Sequence, residues 1–185
     1  MKPLHIVLGL ASLLVVIFFV GGTLLPMVFE REAETEVCAS PEQVHELFDQ
    51  LETMAGWSII GDAEEADFVV RGESGPGARL EWREVRESGD GAISLEITES
   101  VPARKVEYAV RWDEEIQLWL RADLEPLEDG EGTRVALSAE REVQSLSGRW
   151  LGWLIVNFPI GDDPDAYLEA ELTALGDYAE ERFCA

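Results

Sequence analysis

Residues 106–112 read Val-Glu-Tyr-Ala-Val-Arg-Trp, and their alternation decides the fold class. Successive side chains of an extended chain point to opposite faces, so Val106, Tyr108, Val110 and Trp112 share one side while Glu107, Ala109 and Arg111 share the other. The same period of two continues outward in both directions. Leu80 and Trp82 alternate with Arg79, Glu81 and Arg83, and Ile93, Leu95 and Ile97 alternate with Ser94, Glu96 and Thr98. Further on, Leu118 and Leu120 flank Trp119, and Val135, Leu137 and Ala139 alternate with Arg134, Ala136 and Ser138. Turn signals at Gly75-Pro76-Gly77, Gly89-Asp90-Gly91, Val101-Pro102 and Asp129-Gly130-Glu131-Gly132 separate these runs at the spacing of an antiparallel meander. Residues 68–142 therefore predict a sheet with one apolar face and one wet face.

Helices flank that sheet. Before it, Glu34 to Ala39 reads as a short strand, and Ser40-Pro41-Glu42-Gln43 is a helix start with a capping box and proline at the first helical position. The stripe Val44, Leu47, Phe48, Leu51 has helical spacing, with His45, Glu46 and Asp49 off it. A second short helix covers Thr53 to Trp57. After the sheet, Asp163-Pro164 opens a long helix whose stripe Leu168, Leu172, Leu175, Ala179 runs to Phe183. Both apolar faces are buried only if helix and sheet pack together. The expectation is an α+β fold of about six or seven antiparallel strands around a long C-terminal helix, with two short helices after the first strand.

At the N-terminus, Pro3 to Phe29 contains no Lys, Arg, Asp or Glu, a run longer than the ~20 residues that cross a bilayer. It predicts a transmembrane helix over residues 4–29, too long for the apolar core of a cleavable signal peptide. Lys2 precedes this run and Glu30, Glu32, Glu34 and Glu36 follow it. The positive-inside rule then places the N-terminus in the cytoplasm and the rest in the periplasm or outside the cell. The expected plan is a tail at 1–3, the span at 4–29, a polar stalk at 30–35 and one domain at 36–185. His5 is assigned no role.

All 38 acidic residues, and all but Lys2 of the 14 basic ones, follow that run. Such a surface repels nucleic acid and anionic headgroups, which excludes a nucleic-acid partner. It reads either as a solvated face or as a docking patch for a basic partner.

An ordered series of short motifs carries a family resemblance. It comprises Leu25-Pro26, Ala39-Ser40-Pro41-Glu42-Gln43-Val44, Trp57-Ser58, Gly75-Pro76-Gly77-Ala78 through Trp82, Gly91 through Glu99-Ser100-Val101-Pro102, Leu124-Glu125-Pro126 and Gly132-Thr133-Arg134-Val135. The series resembles the polyketide cyclase/dehydrase-like proteins of the SRPBCC superfamily, with the START and birch-pollen-allergen helix-grip fold, and a membrane-anchored subgroup among them. The resemblance implies a curved sheet gripping the last helix, with a hydrophobic cavity that in relatives holds lipids, sterols, polyketides or other apolar molecules. From the residues alone, Cys38 and Cys184 are either a bridge or two unpaired thiols. The resemblance implies the bridge, because this fold brings the first strand near the end of the last helix.

Candidate chemistry is sparse. There is no GxSxG elbow, no HExxH, no phosphate-binding glycine loop and no CxxC, so neither a cofactor nor a metal is expected. The inward wall Leu80, Trp82, Ile93, Leu95, Ile97, Tyr108, Val110, Trp112, Leu118 and Leu120 either fills the core or lines an apolar ligand cavity, with the Tyr108 hydroxyl to orient a ligand. The run Trp150 to Ile160, with Trp150, Trp153, Leu154 and Phe158, reads as a core helix or cavity lid, or as an edge at the membrane interface. The leading expectation is a membrane-tethered, non-catalytic binding module for a hydrophobic small molecule or lipid. The alternatives are a polyketide cyclase or dehydratase, and a structural or regulatory envelope protein with a filled core.

Overall fold

A computed structural model describes residues 2–58, 68–86, 89–128, 130–157 and 164–184. The chain divides into two compact units, Met1–Phe29 with Glu142–Asp163, and Glu30–Arg141 with Pro164–Ala185.

In the first unit, helix α1 (Lys2–Leu24) packs on helix α4 (Leu146–Asn157). The Trp150 indole donates to the Phe18 carbonyl at 3.0 Å. Gly21 and Gly22 make room for that ring, since a β-carbon on Gly21 would lie 2.6 Å from it. The uncharged run from Pro3 to Phe29 is not one helix. It leaves helical geometry after Leu24, and Val28 and Phe29 already belong to strand β1 (Val28–Val37). Among the described residues no helix is long and apolar enough to cross a membrane. This overturns the transmembrane helix expected over residues 4–29, and with it the single-pass, integral-membrane localisation and the inside-outside orientation derived from it.

The second unit carries the sheet. Helices α2 (Pro41–Asp49) and α3 (Leu51–Trp57) follow β1. Then come β2 (Val69–Arg71), β3 (Arg79–Arg86), β4 (Gly89–Val101), β5 (Lys105–Trp112), β6 (Glu115–Pro126) and β7 (Thr133–Glu142), and after α4 the last helix α5 (Pro164–Phe183). The seven strands lie in the order β1-β7-β6-β5-β4-β3-β2, and every pair from β2 to β7 is antiparallel. Side chains of α2, α3 and α5 join the inner face of the sheet in one core that contains Phe48, Leu95, Ile97, Tyr108, Val135 and Leu175.

Two turns differ from the sequence reading. Gly89-Asp90-Gly91 lies in β4, where pairing continues to Arg86↔Gly89. Between β5 and β6 the chain reverses at Asp113 and Glu114, both at positive φ (47° and 70°). That is the backbone of a two-residue hairpin turn, built here without glycine. The Asp113 carboxylate steadies it by accepting from the Ala92 N–H at 3.1 Å.

One end of the unit is tied shut. The Ser40 cap and Gln43 form both bonds of the capping box at the start of α2. Thr133, fully buried, donates to the Ala39 carbonyl at 2.7 Å. Gly132 admits the backbone of β1 so closely that a β-carbon would lie 2.5 Å from the Val37 carbonyl oxygen. A disulfide joins Cys38 to Cys184, with 6.2 Å between Cα atoms, linking the end of β1 to the residue after α5.

Candidate functional site

The inner face changes character along its length. At the end bearing the disulfide, Leu80, Leu95, Ile97, Val106 and Tyr108 are all buried to within 1 % of full burial. Toward the other end Trp82, Val110, Trp112, Leu118 and Leu120 are only half-buried, and Ile93 lies at the boundary with 9 % exposure. Strand registry explains the grouping: Ile93 faces Trp82 and Trp112, and Val110 faces Leu118. The predicted wall is thus one surface with a packed half and a half-open half.

Where the two halves meet, Phe48, Met54, Tyr108, Leu120, Leu137, Tyr167, Leu168 and Glu171 line a cavity of about 10 Å³. That is the room needed by about one water molecule. Of the wall residues expected from sequence, only Tyr108 and Leu120 reach it. Tyr108 is not available to donate to a ligand: its hydroxyl donates to the Phe48 carbonyl at 2.7 Å, which holds α2 against β5. Phe48 in turn meets Trp57 edge to face at 5.4 Å, and the Trp57 indole donates to the Leu47 carbonyl.

Glu171 is the residue the sequence reading missed. It lies on α5 three residues after Leu168 and four before Leu175, on the apolar stripe, and keeps 4 % of its surface exposed. An acid at a stripe position is the signal that could have revealed it, because carboxylates are almost never fully buried without a partner. Its effect reaches both phenols of the cavity. Burial, with charges on Asp49 and Glu171 adding to it, pushes Tyr108 well above its ordinary value. Desolvation and then the Glu171 charge push Tyr167, half-exposed at the rim, up to about 12. Both phenols therefore keep their protons at neutral pH.

A second polar group lies under α2. His45, expected on a wet helix face, is buried, with its Nε2 3.0 Å from the Ser100 hydroxyl. Ser100 donates to Asp49 at 2.6 Å, and Asp49 also accepts from the Gly75 N–H at 3.2 Å. Since the serine proton points at the carboxylate, the imidazole must donate to the hydroxyl rather than accept from it. The order is the reverse of a nucleophilic triad, in which the imidazole takes the serine proton. The cluster ties α2 to β4 and to the Gly75 loop, where φ is 73°.

On the outer face two open grooves, about 490 and 1050 Å³, are lined mainly by charged side chains. Pairs such as Arg121–Asp123 (2.6 Å) and Arg134–Glu36 (3.1 Å) occupy the arginines, and carboxylates outnumber arginines in both linings. Trp119, on this face as its parity requires, remains 39 % exposed. In the other unit Trp150, Trp153 and Leu154 are half-buried on α4, the two indoles meeting edge to face at 6.0 Å. Phe158 lies outside the described residues. No cluster of potential metal ligands occurs among the described residues.

A sheet packed against a terminal helix, with two short helices closing one end, is a helix-grip architecture. Solved structures share it. Ginseng major latex-like protein 151 from Panax ginseng matches with a TM-score of 0.55 at 17% identity, over 85% of this chain and 99% of that one. TTHA0849 from Thermus thermophilus matches with a TM-score of 0.59 at 21% identity, over 84% of this chain and 99% of that one. A protein of unknown function, SA2116 from Staphylococcus aureus, matches with a TM-score of 0.60 at 15% identity, over 85% and 98%. The chain shares the fold of these structures, and identities this low carry the fold alone. No family profile and no curated protein matches the chain.

Proposed function

We propose that this protein is a binding module for a hydrophobic small molecule, seated between the inner face of the sheet and α5. The observation that carries this reading is the half-exposed apolar surface of Trp82, Val110, Trp112, Leu118 and Leu120 at one end of the core. Grouped apolar side chains left partly in contact with water mark ligand grooves and interaction sites. The superfamily fold supports the same place for a ligand, although a fold by itself does not fix an activity. The disulfide, the Ala39–Thr133 bond and the Tyr108–Phe48 bond all lie toward the packed half, so the other half is the natural route of entry. Lipids are one class of occupant within this reading.

The test is titration of the full chain with N-phenyl-1-naphthylamine, alongside mass spectrometry of the gently purified protein. Saturable fluorescence enhancement is expected, weakened at least fivefold by Val110→Trp, which fills the half-open region. Absence of saturable binding, together with no co-purified apolar molecule, would defeat the proposal.

A second reading, a structural protein with a filled core, is favoured by the cavity of about 10 Å³. It requires that negative result, and it also requires that Val110→Trp lower stability rather than affinity, because overpacking a filled core costs about 1–3 kcal/mol.

A further inference from the structure

We infer that β1 is a salt-gated edge strand: at low ionic strength residues 30–35 swing away from β7 on a hinge at the disulfide end, and in about molar salt they close onto the sheet. The inference stands apart from the binding reading, since no ligand enters it.

β1 lies at the edge of the sheet with β7 beside it. Glu30, Glu32, Glu34 and Glu36 alternate along its exposed face, while Arg31, of the opposite parity, is half-buried on the other. Alternate residues of a strand lie about 6.6–6.8 Å apart. The screening length is about 10 Å in 0.1 M salt and about 3 Å in 1 M, so neighbouring glutamates repel one another in the first condition and hardly at all in the second. The rest of the chain adds to the effect, for its net charge is −24, and such self-repulsion works against the compact state.

The repulsion is uneven along the strand. At the disulfide end Arg134 bonds Glu36 at 3.1 Å, and the charge of Glu34 also acts on it. Farther along, Glu30 and Glu32 share a groove with Glu107, Asp123 and Glu140 against Arg121 alone, and Arg121 already pairs with Asp123 at 2.6 Å. Among the described residues Glu30 and Glu32 form no ion pair. The mechanical ties follow the same gradient. The disulfide, the Ala39–Thr133 bond and the close approach of Val37 to Gly132 all hold the Val37 end. On residues 30–35 the inward side chains beside Arg31 are Ala33 and Thr35, small and only half-buried, so apolar burial holds this stretch weakly.

The test is hydrogen exchange of the full chain, followed by NMR in about 20 mM and about 1 M KCl. The amides of residues 30–35 that pair with β7 are expected to gain at least about tenfold protection at the higher salt, while those of β5 change by less than about twofold. Glu30→Gln, Glu32→Gln and Glu34→Gln combined remove the repulsion, and protection in that variant should agree between the two salts to within about twofold. The inference is overturned if residues 30–35 exchange equally fast in both salts, if β5 gains as much protection as β1, or if the triple variant keeps the native salt response. Should circular dichroism show the triple variant unfolded, Glu32→Gln decides: a salt response undiminished from the native one overturns the gate.

Discussion

The two halves of the inner sheet face are both built from aliphatic and aromatic side chains and behave differently. At the packed half Leu95, Ile97 and Tyr108 lie under α2 and α5 with no more than 1 % exposure. At the other half Trp82, Val110 and Trp112, on the same or an adjacent strand, stay partly in contact with water. Side-chain hydrophobicity does not distinguish them. What differs is the set of ties at the packed half: the disulfide, the Ala39–Thr133 bond, the Tyr108–Phe48 bond and the His45–Ser100–Asp49 cluster. The comparison separates what an amino acid contributes by its chemistry from what its surroundings allow it to contribute.

The sharpest way to break the comparison is a matched pair of truncations. Ile97→Ala should cost about 2–5 kcal/mol by leaving a cavity in close-packed surroundings, whereas Val110→Ala should cost clearly less. Chemical denaturation measures both, and equal losses would mean the two halves are equally packed. Reduction of Cys38–Cys184 should remove about 2–5 kcal/mol, since it frees a loop closed across a sequence separation of 146. Denaturation with and without reductant reads that loss.

Tyr108→Phe keeps the ring and leaves the buried Phe48 carbonyl without its donor, with an expected cost of about 1–3 kcal/mol. The same phenol sets an alkaline limit. Tyr108 and Tyr167 have raised values in the folded chain, so below an unfolded value of about 10 both states are protonated and stability is unaffected. As pH rises from there through about 12, the unfolded chain ionises first and stability falls. Tyr167→Phe should flatten that decline, and denaturation at pH 9 to 12 checks it.

The smallest effect belongs to the outer face. The Lys105 ammonium, 2.7 Å from Glu99, holds that carboxylate below its ordinary value chiefly through their hydrogen bond. Lys105→Met should let the Glu99 titration rise in an NMR experiment, with little change in melting temperature. A large drop in melting temperature would mean that outer-face charges do more than stay solvated.

Much of this architecture is legible from alternation alone. Leu80, Leu95, Ile97 and Tyr108 declare their side of the sheet by parity, and Ser40 to Gln43 declare the start of α2 by capping chemistry. Illegible features share a cause, which is that a local pattern is overruled by a distant neighbour. Gly89 to Gly91 carry a turn composition, but pairing with Glu84 to Arg86 draws them into β4. Asp113 and Glu114 form a turn with no glycine to announce it. In the N-terminal apolar run Pro26 does mark the end of α1, since the residue before a proline is pushed out of helical geometry, but the absence of charge through Phe29 makes the run read as one span. His45 lies off the apolar stripe of α2 yet turns inward to meet Ser100, and Glu171 is an acid on the stripe of α5, where its apolar neighbours hide it. In the candidate site, therefore, the apolar wall is readable from sequence, while the buried polar residues His45 and Glu171 are not.

The Cys38–Cys184 bond also changes what kind of object the chain is. Between those two cysteines the polypeptide is a closed ring, with the chain before Cys38 and after Cys184 as its tails. A single backbone cut within the ring, for example at the Gly75-Pro76-Gly77 loop, leaves one covalent molecule whose strands remain beside their partners. The same cut after reduction yields two fragments, so an intact bridge turns a lethal nick into a change of connectivity.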